Sequence, residues 1–266
     1  MYQFNYHKAS SLSDATSAAA KSSDARLLAG GQTLIASMKL RLVSPADVID
    51  LSGVPELKGI KVDGGNLTIG AVTRHAEVAS SKEVQQSIPA LARLAAMIGD
   101  RMVRNMGTLG GSVANSDPAA DYPAAVLGLG ATINTNKRKI AGDDFFKGVF
   151  ETALQPGEII ASITFPIPKR AGYVKFRNPA SRYAIVGVFV AESNGVRVAV
   201  TGAGPCAFRV PEMEKALSAK LAPDAIANVK VSANGLNSDI HASAEYRAHL
   251  VNVIARRAVE QTVAGK

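Results

Sequence analysis

The residues best suited to chemistry are glycines and small polar residues in two short segments. The first, Ala29-Gly30-Gly31-Gln32-Thr33-Leu34, follows a predicted strand at residues 26–29 and precedes a predicted helix at residues 34–42. Adjacent glycines let the backbone adopt positive φ and approach a bulky anion closely. The N–H groups that follow can then bind that anion. This pattern is typical of a pyrophosphate site, although an ordinary strand-to-helix turn has the same composition.

The second segment is Gly107-Thr108-Leu109-Gly110-Gly111-Ser112, and its hydroxyl groups stand beside N–H groups that we expect to be exposed. Asn115, Asp117 and Asp121 follow it. An aspartate near a nucleotide can accept hydrogen bonds from ribose or adenine. Alternatively, Asp117 starts a turn and Asp121 caps a helix. Two such segments in one chain favour a dinucleotide site, because a pyrophosphate has two phosphates to bind.

Other motifs point to no further chemistry. Residues 202–207 match the loose pattern G-x-G-x-x-G/A, but Pro205 removes an N–H donor and Pro211 follows closely, so we predict a strand end and a turn there. No G-x-S-x-G, P-loop or H-E-x-x-H motif is present. The four histidines lack metal-ligand spacing, and Cys206 is the single cysteine, which cannot hold an iron–sulfur cluster. The sequence therefore predicts no metal site and no catalytic acid, base or nucleophile in this chain.

Composition is that of an ordinary globular protein, with 47% hydrophobic and 20% charged residues in 266. No apolar run is long enough to span a membrane, and no signal peptide is evident, so we expect a cytoplasmic protein. Residues 1–166 carry 16 Lys and Arg against 15 Asp and Glu, a net of +1, whereas residues 167–266 carry 14 against 7, a net of +7. The few aromatic residues are scattered, so this basic half is a solvated face or a docking surface rather than a nucleic-acid site.

The elements that must position the glycine segments follow from periodicity and turn signals. We predict a helix capped by Ser13, a strand at 48–51 and a hairpin around residues 63–66. Helices are predicted near 74–80 and 88–98, and residues 101–121 are predicted to form a loop. The remaining predictions are helices at 122–129, 211–220 and 244–263, and strands at 131–134, 159–165, 173–176, 185–191 and 196–201. Pro166 and Pro168 mark the predicted domain boundary, where the charge balance also changes.

In this context the chain resembles the FAD-binding medium subunit of molybdenum hydroxylases, the group of carbon monoxide dehydrogenase and xanthine dehydrogenase. The resemblance runs through almost the whole chain in order. Its segments are AGGQTLIASMKLR at 29–41, VIDL at 48–51, RNMGTLGGSVANSDPAADYP at 104–123, PGEIIASI at 156–163, EYR at 245–247 and ARRAV at 255–259.

The resemblance implies an α+β fold. A two-part FAD-binding domain of the vanillyl-alcohol oxidase type would occupy residues 1–166, with subdomains at about 1–52 and 53–166. A smaller α+β domain of the carbon monoxide dehydrogenase flavoprotein type would follow at residues 167–266. FAD would be bound non-covalently. The implied FAD-binding residues are Leu28, Ala29, Gly30, Gly31, Gln32, Thr33, Leu34, Thr108, Leu109, Gly110, Gly111, Ser112, Asn115, Asp121, Ile160, Arg177 and Tyr183.

Three positions depart from the family pattern. Gln32 and Ser112 replace other residues that can form hydrogen bonds, so FAD binding is expected to survive. Arg182 stands where an aspartate is common beside the flavin, and its positive charge would favour the reduced, anionic flavin. Tyr183 matches a position that shields one face of the flavin, although a packing role at a strand edge is the alternative.

The implied function is electron transfer. A molybdenum-cofactor large subunit would oxidise the substrate, a small subunit with two [2Fe–2S] clusters would deliver electrons to this chain, and the whole would be a dimer of heterotrimers. Carbon monoxide, aldehydes, purines and N-heterocycles all remain possible substrates, and quinone, cytochrome, NAD and oxygen remain possible acceptors. Two other classes stay open: a self-contained flavin reductase, like the enolpyruvyl-sugar reductase of cell-wall synthesis, and a scaffold that has lost FAD.

Overall fold

A computed structural model describes residues 1–265, and it begins with a small parallel sheet. Strands β1 (Asn5–Lys8), β2 (Ala25–Leu28) and β3 (Asp47–Asp50) lie in the order β1-β3-β2, connected by helices α1 (Leu12–Ala20) and α2 (Leu34–Lys39). Its apolar core contains Ala15 of α1 and Ile49 of β3, and it also includes Val72 and Ile159 from the following part of the chain. The predicted cap Ser13 is wrong by two residues, because the Ser11 side chain accepts the hydrogen bond from the Asp14 N–H.

The central part of the chain is a five-stranded antiparallel sheet with six helices. In chain order it contains β4 (Ile60–Asp63), β5 (Asn66–Gly70), α3 (His75–Ser80), α4 (Lys82–Ser87), α5 (Pro89–Ala96), α6 (Arg101–Met106), α7 (Leu109–Asn115), α8 (Tyr122–Gly128), β6 (Thr132–Thr135), β7 (Lys139–Ala141), the small hairpin β8 (Phe146–Gly148) and β9 (Glu151–Thr152), and β10 (Ile160–Pro166). The sheet order is β4-β5-β10-β6-β7. The predicted hairpin is confirmed, with Asp63 paired to Asn66.

The prediction of a loop at residues 101–121 is wrong, because α6 and α7 occupy most of it. Asp100 caps α6 by accepting from the Val103 N–H at 2.9 Å, and Thr108 caps α7 by accepting from the Gly111 N–H at 3.2 Å. Helix propensity alone disfavours a helix with two adjacent glycines. Gly110 has no room for a side chain, since a β-carbon there would stand 2.5 Å from that of Ala71. Close packing against the β5 end of the sheet therefore offsets the low propensity.

The last part of the chain is a four-stranded antiparallel sheet covered by two helices. It contains β11 (Arg170–Arg177), β12 (Ala184–Glu192), β13 (Val196–Thr201), β14 (Phe208–Arg209), α9 (Pro211–Ala219) and α10 (Ala244–Val263), with strand order β11-β12-β13-β14. The predicted bounds of α10 are confirmed, as is the turn at 202–207, where no helix begins.

This last sheet is buried on both faces. Valines of β12 and β13 pack under α9 and α10, whereas Tyr173 and Phe189 belong to the core of the central sheet. Gly128 at the end of α8 is in close contact with the Phe189 ring, where a β-carbon would stand 2.8 Å from a ring carbon. The second and third sheets thus share apolar packing, which fixes their relative position.

Candidate functional site

The first glycine segment is a tight turn between β2 and α2. Gly31 has φ +73°, and a β-carbon there would stand 2.9 Å from the Ile35 side chain, so the position needs glycine. Within residues 1–265, none of the five backbone N–H groups from Gly30 to Leu34 donates a hydrogen bond. Five consecutive N–H donors without protein acceptors, at a turn that leads into the start of a helix, can bind an anionic ligand.

The second segment contributes differently from what its sequence suggests. Its N–H groups were predicted to be exposed, which is wrong for five of the six. Those of Gly107 and Ser112 donate to the Val103 and Thr108 carbonyl groups at 2.7 and 3.0 Å. Those of Leu109 and Gly110 donate to the Thr73 and Ala71 carbonyl groups at 3.0 and 2.8 Å, and that of Gly111 donates to the Thr108 hydroxyl. These five N–H groups are therefore used in ending α6, in starting α7 and in joining α7 to the backbone after β5.

Side chains of α7 remain available instead. Ser112 and Asn115 lie three residues apart, on one face of the helix. Neither side chain makes a hydrogen bond within the described part of the chain, and both are only half-buried. The side chains of Gln32 and Thr33 in the first turn also make no hydrogen bond within residues 1–265, and both residues are exposed.

The two glycine segments are brought together at the backbone. A β-carbon at Gly30 would stand 2.8 Å from the α-carbon of Gly107, and one at Gly111 would stand 3.6 Å from the β-carbon of Ala29. The prediction that both segments serve one site is consistent with this contact, since a side chain at Gly30 would hold the two segments apart.

A cavity of about 740 Å³ opens beside this contact. It lies between the first and second sheets and is large enough for part of a dinucleotide. The predicted residues that line it are Leu28, Ala29, Gly30, Gly31 and Thr108. A second cavity, of about 440 Å³, is lined by Tyr183 together with Asp117, Phe150 and Arg247. The predicted residues thus do not all line one cavity.

Asp121 is buried in a hydrogen-bonded cluster rather than exposed. Its carboxylate accepts from the Tyr173 hydroxyl at 2.5 Å and forms an ion pair with the Lys175 ammonium at 2.9 Å. Burial raises the pKa of Asp121, and the Lys175 charge and the Tyr173 hydrogen bond oppose that shift. Burial and the Asp121 charge raise the pKa of Tyr173 well above its ordinary value.

Arg177 and Tyr183 lie at the tip of the β11–β12 hairpin. Asn178 closes this loop: its backbone N–H donates to the Tyr183 carbonyl at 2.8 Å, and its side chain accepts from the Ala180 N–H. Arg182, beside Tyr183, is held at φ +64°, an unfavourable conformation for an arginine. Burial raises the pKa of the Tyr183 hydroxyl, and the negative charge of Asp117 adds to the shift.

Ile160 stands apart from the rest of the predicted set. It begins β10, pairs with Thr135, and its side chain belongs to the core of the central sheet. A contact between Ile160 and a cofactor stays a prediction.

These residues fit FAD. The five N–H groups of residues 30–34 suit its pyrophosphate, and the missing side chains of Gly30 and Gly111 let the backbone come close. The unpaired polar side chains of Gln32, Thr33, Ser112 and Asn115 suit its sugar and phosphate oxygens. Within residues 1–265, no group of three or more His, Cys, Asp or Glu could hold a metal ion.

Comparison with known proteins decides the family. Residues 2–168 match the family described as FAD binding domain in molybdopterin dehydrogenase. The chain belongs to this family. It is an FAD-binding medium subunit of the molybdenum hydroxylase class, and therefore part of an oxidoreductase.

The relatives of this medium subunit align with it from end to end. It is 34% identical to the glyceraldehyde dehydrogenase medium chain of Sulfolobus acidocaldarius, over 97% of this chain and 98% of that one. It is 35% identical to the nicotine 6-hydroxylase medium subunit of Paenarthrobacter nicotinovorans, over 96% and 95%. The structure of reconstituted CO dehydrogenase from Oligotropha carboxidovorans superposes with a TM-score of 0.92 and 31% identity, covering 100% of this chain and 99% of that one.

Sequence reasoning missed the turn of the medium subunit at residues 97–99, between α5 and α6. The carbonyl groups of Met97, Ile98 and Gly99 all accept hydrogen bonds from cationic side chains. Gly99 has φ +47°, and the sequence Gly-Asp at 99–100 is a helix-start signal that could have located the turn.

His75 was also missed as part of the site. It lies directly behind the second glycine segment: its backbone N–H donates to the Gly107 carbonyl at 2.9 Å, and a β-carbon at Gly107 would stand 2.5 Å from its Nε2. Burial lowers the pKa of His75 to about 4, and the Arg104 charge contributes. No signal in the sequence distinguished this histidine from the other three.

Proposed function

We propose that this medium subunit holds FAD across its two glycine segments and passes electrons between a partner subunit and a terminal acceptor. The observation that carries the proposal is the row of five unpaired N–H groups from Gly30 to Leu34, packed against the second segment. Arg177 and Tyr183 would flank the ring system, and Gln32, Thr33, Ser112 and Asn115 would bind the polar chain. Bound flavin would supply the exchange between single-electron and two-electron transfer.

The protein's own part is to position the cofactor and to shield its ring system from solvent. Backbone donors and neutral hydrogen-bonding side chains hold the cofactor without a covalent bond, and the Tyr183 ring limits access to one face. No residue of this chain is assigned a proton-transfer or nucleophilic role. Electrons come from the [2Fe–2S] clusters of a small partner subunit, and the substrate is oxidised at the molybdenum cofactor of a large partner subunit. The end-to-end match to relatives named medium chain and medium subunit supports this division of labour.

The assembly we propose is a dimer of heterotrimers in the cytoplasm. No helix within residues 1–265 is long and apolar enough to cross a membrane. The excess of +7 over residues 167–266 makes this half a candidate docking surface for a partner. We also propose a division into an FAD-binding domain at 1–166 and a C-terminal domain at 167–266, supported by the separate apolar core under α9 and α10.

An absorbance spectrum of the purified chain tests the cofactor proposal. Flavin bands close to one per chain, with free FAD released on denaturation, are expected. A chain that stays colourless with added FAD, both alone and when co-expressed with its partners, contradicts the proposal.

Assembly is tested separately. Reversing the exposed Lys215, Lys230 and Arg256 to glutamate should weaken copurification with the partner subunits. The matched control reverses Lys21, Lys61 and Lys82, which are exposed in the first half of the chain. Equal recovery of partners by both triple variants rules out the basic docking surface.

A further inference from the structure

The β11–β12 hairpin carries Arg177 and Tyr183 at its tip, and it is tied to the FAD-binding half of the chain at its base. Tyr173 and Lys175 lie on the same face of β11, the face that packs against the central sheet, whereas Val174 lies on the other face, towards α10. The Lys175 side chain is only 2% exposed. A lysine so deeply buried is rare unless it is paired.

Lys175 makes its contacts with two different elements. Its ammonium forms the ion pair with Asp121, which precedes α8, and it also donates to the Met97 carbonyl at 3.1 Å. One buried charge therefore connects β11, the start of α8 and the 97–99 turn.

Two arginines complete the set of contacts on that turn. Arg104 donates to the Ile98 carbonyl at 2.9 Å from within α6, and Arg182 donates to the Gly99 carbonyl at 3.3 Å from the hairpin loop. Three consecutive carbonyl groups thus accept from three cations, two of which belong to the hairpin. We name Lys175, Arg182 and Arg104 the turn clamp.

We propose that Lys175 is a positioning residue, which through the turn clamp sets the place of Arg177 and Tyr183 relative to the flavin end of the FAD site. This rests on the proposed function. A buried ion pair adds little net stability, because the cost of removing both charges from water offsets their attraction, and we assign to this pair the role of fixing geometry. Without the Lys175 contacts, the hairpin would keep its strand pairing to β12 but lose its fixed distance to the 97–99 turn. Lys175 and Arg182 form their hydrogen bonds with Met97, Asp121 and Gly99 and none with the glycine turn at 30–34, so the pyrophosphate end should be unaffected by changes to these two side chains.

The test compares two ligands, FAD and ADP, on the full chain with the variant Lys175→Met. ADP probes the adenine and pyrophosphate half alone. We expect the dissociation constant for FAD to rise about tenfold or more. That for ADP should change by less than about twofold, since distant sites act independently. The visible circular dichroism of bound flavin should change as well. Lys169→Met, an exposed lysine beside the same strand, is the matched control and should leave both affinities unchanged.

Each outcome decides the question. If Lys175→Met weakens the binding of FAD and of ADP equally, the role of Lys175 is merely structural. If FAD affinity is unchanged, Lys175 positions nothing. Either result overturns the proposal. Failure of the wild-type chain to bind FAD contradicts the proposed function instead. If Lys175→Met does not fold, Arg182→Ala removes the second hairpin contact from an exposed position. This variant should raise the dissociation constant for FAD about threefold and leave that for ADP unchanged, because distant sites act independently. Equal affinity of this variant and wild type for FAD then overturns the proposal.

Discussion

Gly30 lies directly against Met106, so closely that a β-carbon at Gly30 would stand 2.7 Å from the Met106 carbonyl carbon. This contact joins the turn after β2 to the end of α6, and it brings the unpaired N–H groups of the first segment beside the second. The pairing is one of backbone with backbone, so no side chain can rotate away to relieve an added methyl group.

Gly30→Ala is therefore expected to separate the two glycine segments. Overpacking of this kind destabilises a protein by about 1–3 kcal/mol, and FAD affinity should fall at least about tenfold, since the anion-binding turn loses its second wall. Urea unfolding and FAD titration measure the two effects. Gly148→Ala is the control, because a β-carbon there meets only the flexible end of Glu151, at 3.3 Å. Unchanged FAD affinity in Gly30→Ala would mean that the contact does not shape the site.

Ser112→Ala and Asn115→Ala, combined, separate binding from folding. Neither side chain makes a hydrogen bond within residues 1–265, so the free energy of unfolding without FAD should change by less than about 0.5 kcal/mol. If both bind FAD, its dissociation constant should rise about thirtyfold, at about 1 kcal/mol for each of the two lost hydrogen bonds. The exposed Gln86→Ala on α4 is the control. Wild-type affinity in the double variant would remove both residues from the site.

The two glycine segments illustrate what the sequence could and could not predict. The two adjacent glycines after an apolar strand correctly predicted a turn that allows positive φ, which Gly31 adopts. The α7 helix was missed, because its glycines are required by contacts that the local sequence does not indicate. Gly110 packs against Ala71, which is distant in sequence, and Gly111 packs against the Thr108 hydroxyl that caps the helix. Local sequence signals predict turns and long amphipathic helices such as α10. They do not predict short helices that are stabilised by packing against distant parts of the chain.

The buried cluster around Asp121 was missed for a similar reason. The sequence predicted Asp121 to be a cofactor ligand or a helix cap. Its partners Tyr173 and Lys175 lie 52 and 54 residues later in the chain. The sequence predicted a strand at residues 173–176, but it gave no indication that one face of this strand packs on the central sheet.

His75 should make stability depend on pH. Its pKa of about 4 in the folded state lies below its ordinary value of 6.5, so the unfolded chain binds a proton that the folded chain does not. Stability should therefore fall as pH decreases from about 6.5 to about 4, by at most about 3 kcal/mol. His75→Leu should flatten this part of the curve, measured by urea unfolding at several pH values. His249→Leu, on the exposed face of α10, should retain the wild-type slope. Parallel curves for wild type and His75→Leu would show that His75 is not the group responsible.

Glu158 should make stability depend on pH in a more acidic range than His75 does. Its side chain is fully buried and accepts hydrogen bonds from Arg138, Thr135 and the Gln155 N–H, which hold the turn before β10. The hydrogen bond from Arg138 is the main cause that lowers the pKa of Glu158 to about 2, against its burial. The folded pKa lies below the ordinary value of 4.5, so this stabilisation is present above pH 4.5 and is lost as pH falls towards 2.

Glu158→Gln should therefore reduce stability at pH 7 and remove the pH dependence between about 4.5 and 2. Since Arg138 is 43% exposed, solvent screening limits the effect to about 1–2 kcal/mol. The control is Asp63→Asn, which breaks the exposed pair with Lys61 and should change stability by less than about 0.5 kcal/mol. Because the Glu158 turn leads directly into Ile160, FAD affinity of the variant gives a second reading. Weaker FAD binding would place the start of β10 in the cofactor site, whereas unchanged binding would restrict Glu158 to holding the turn.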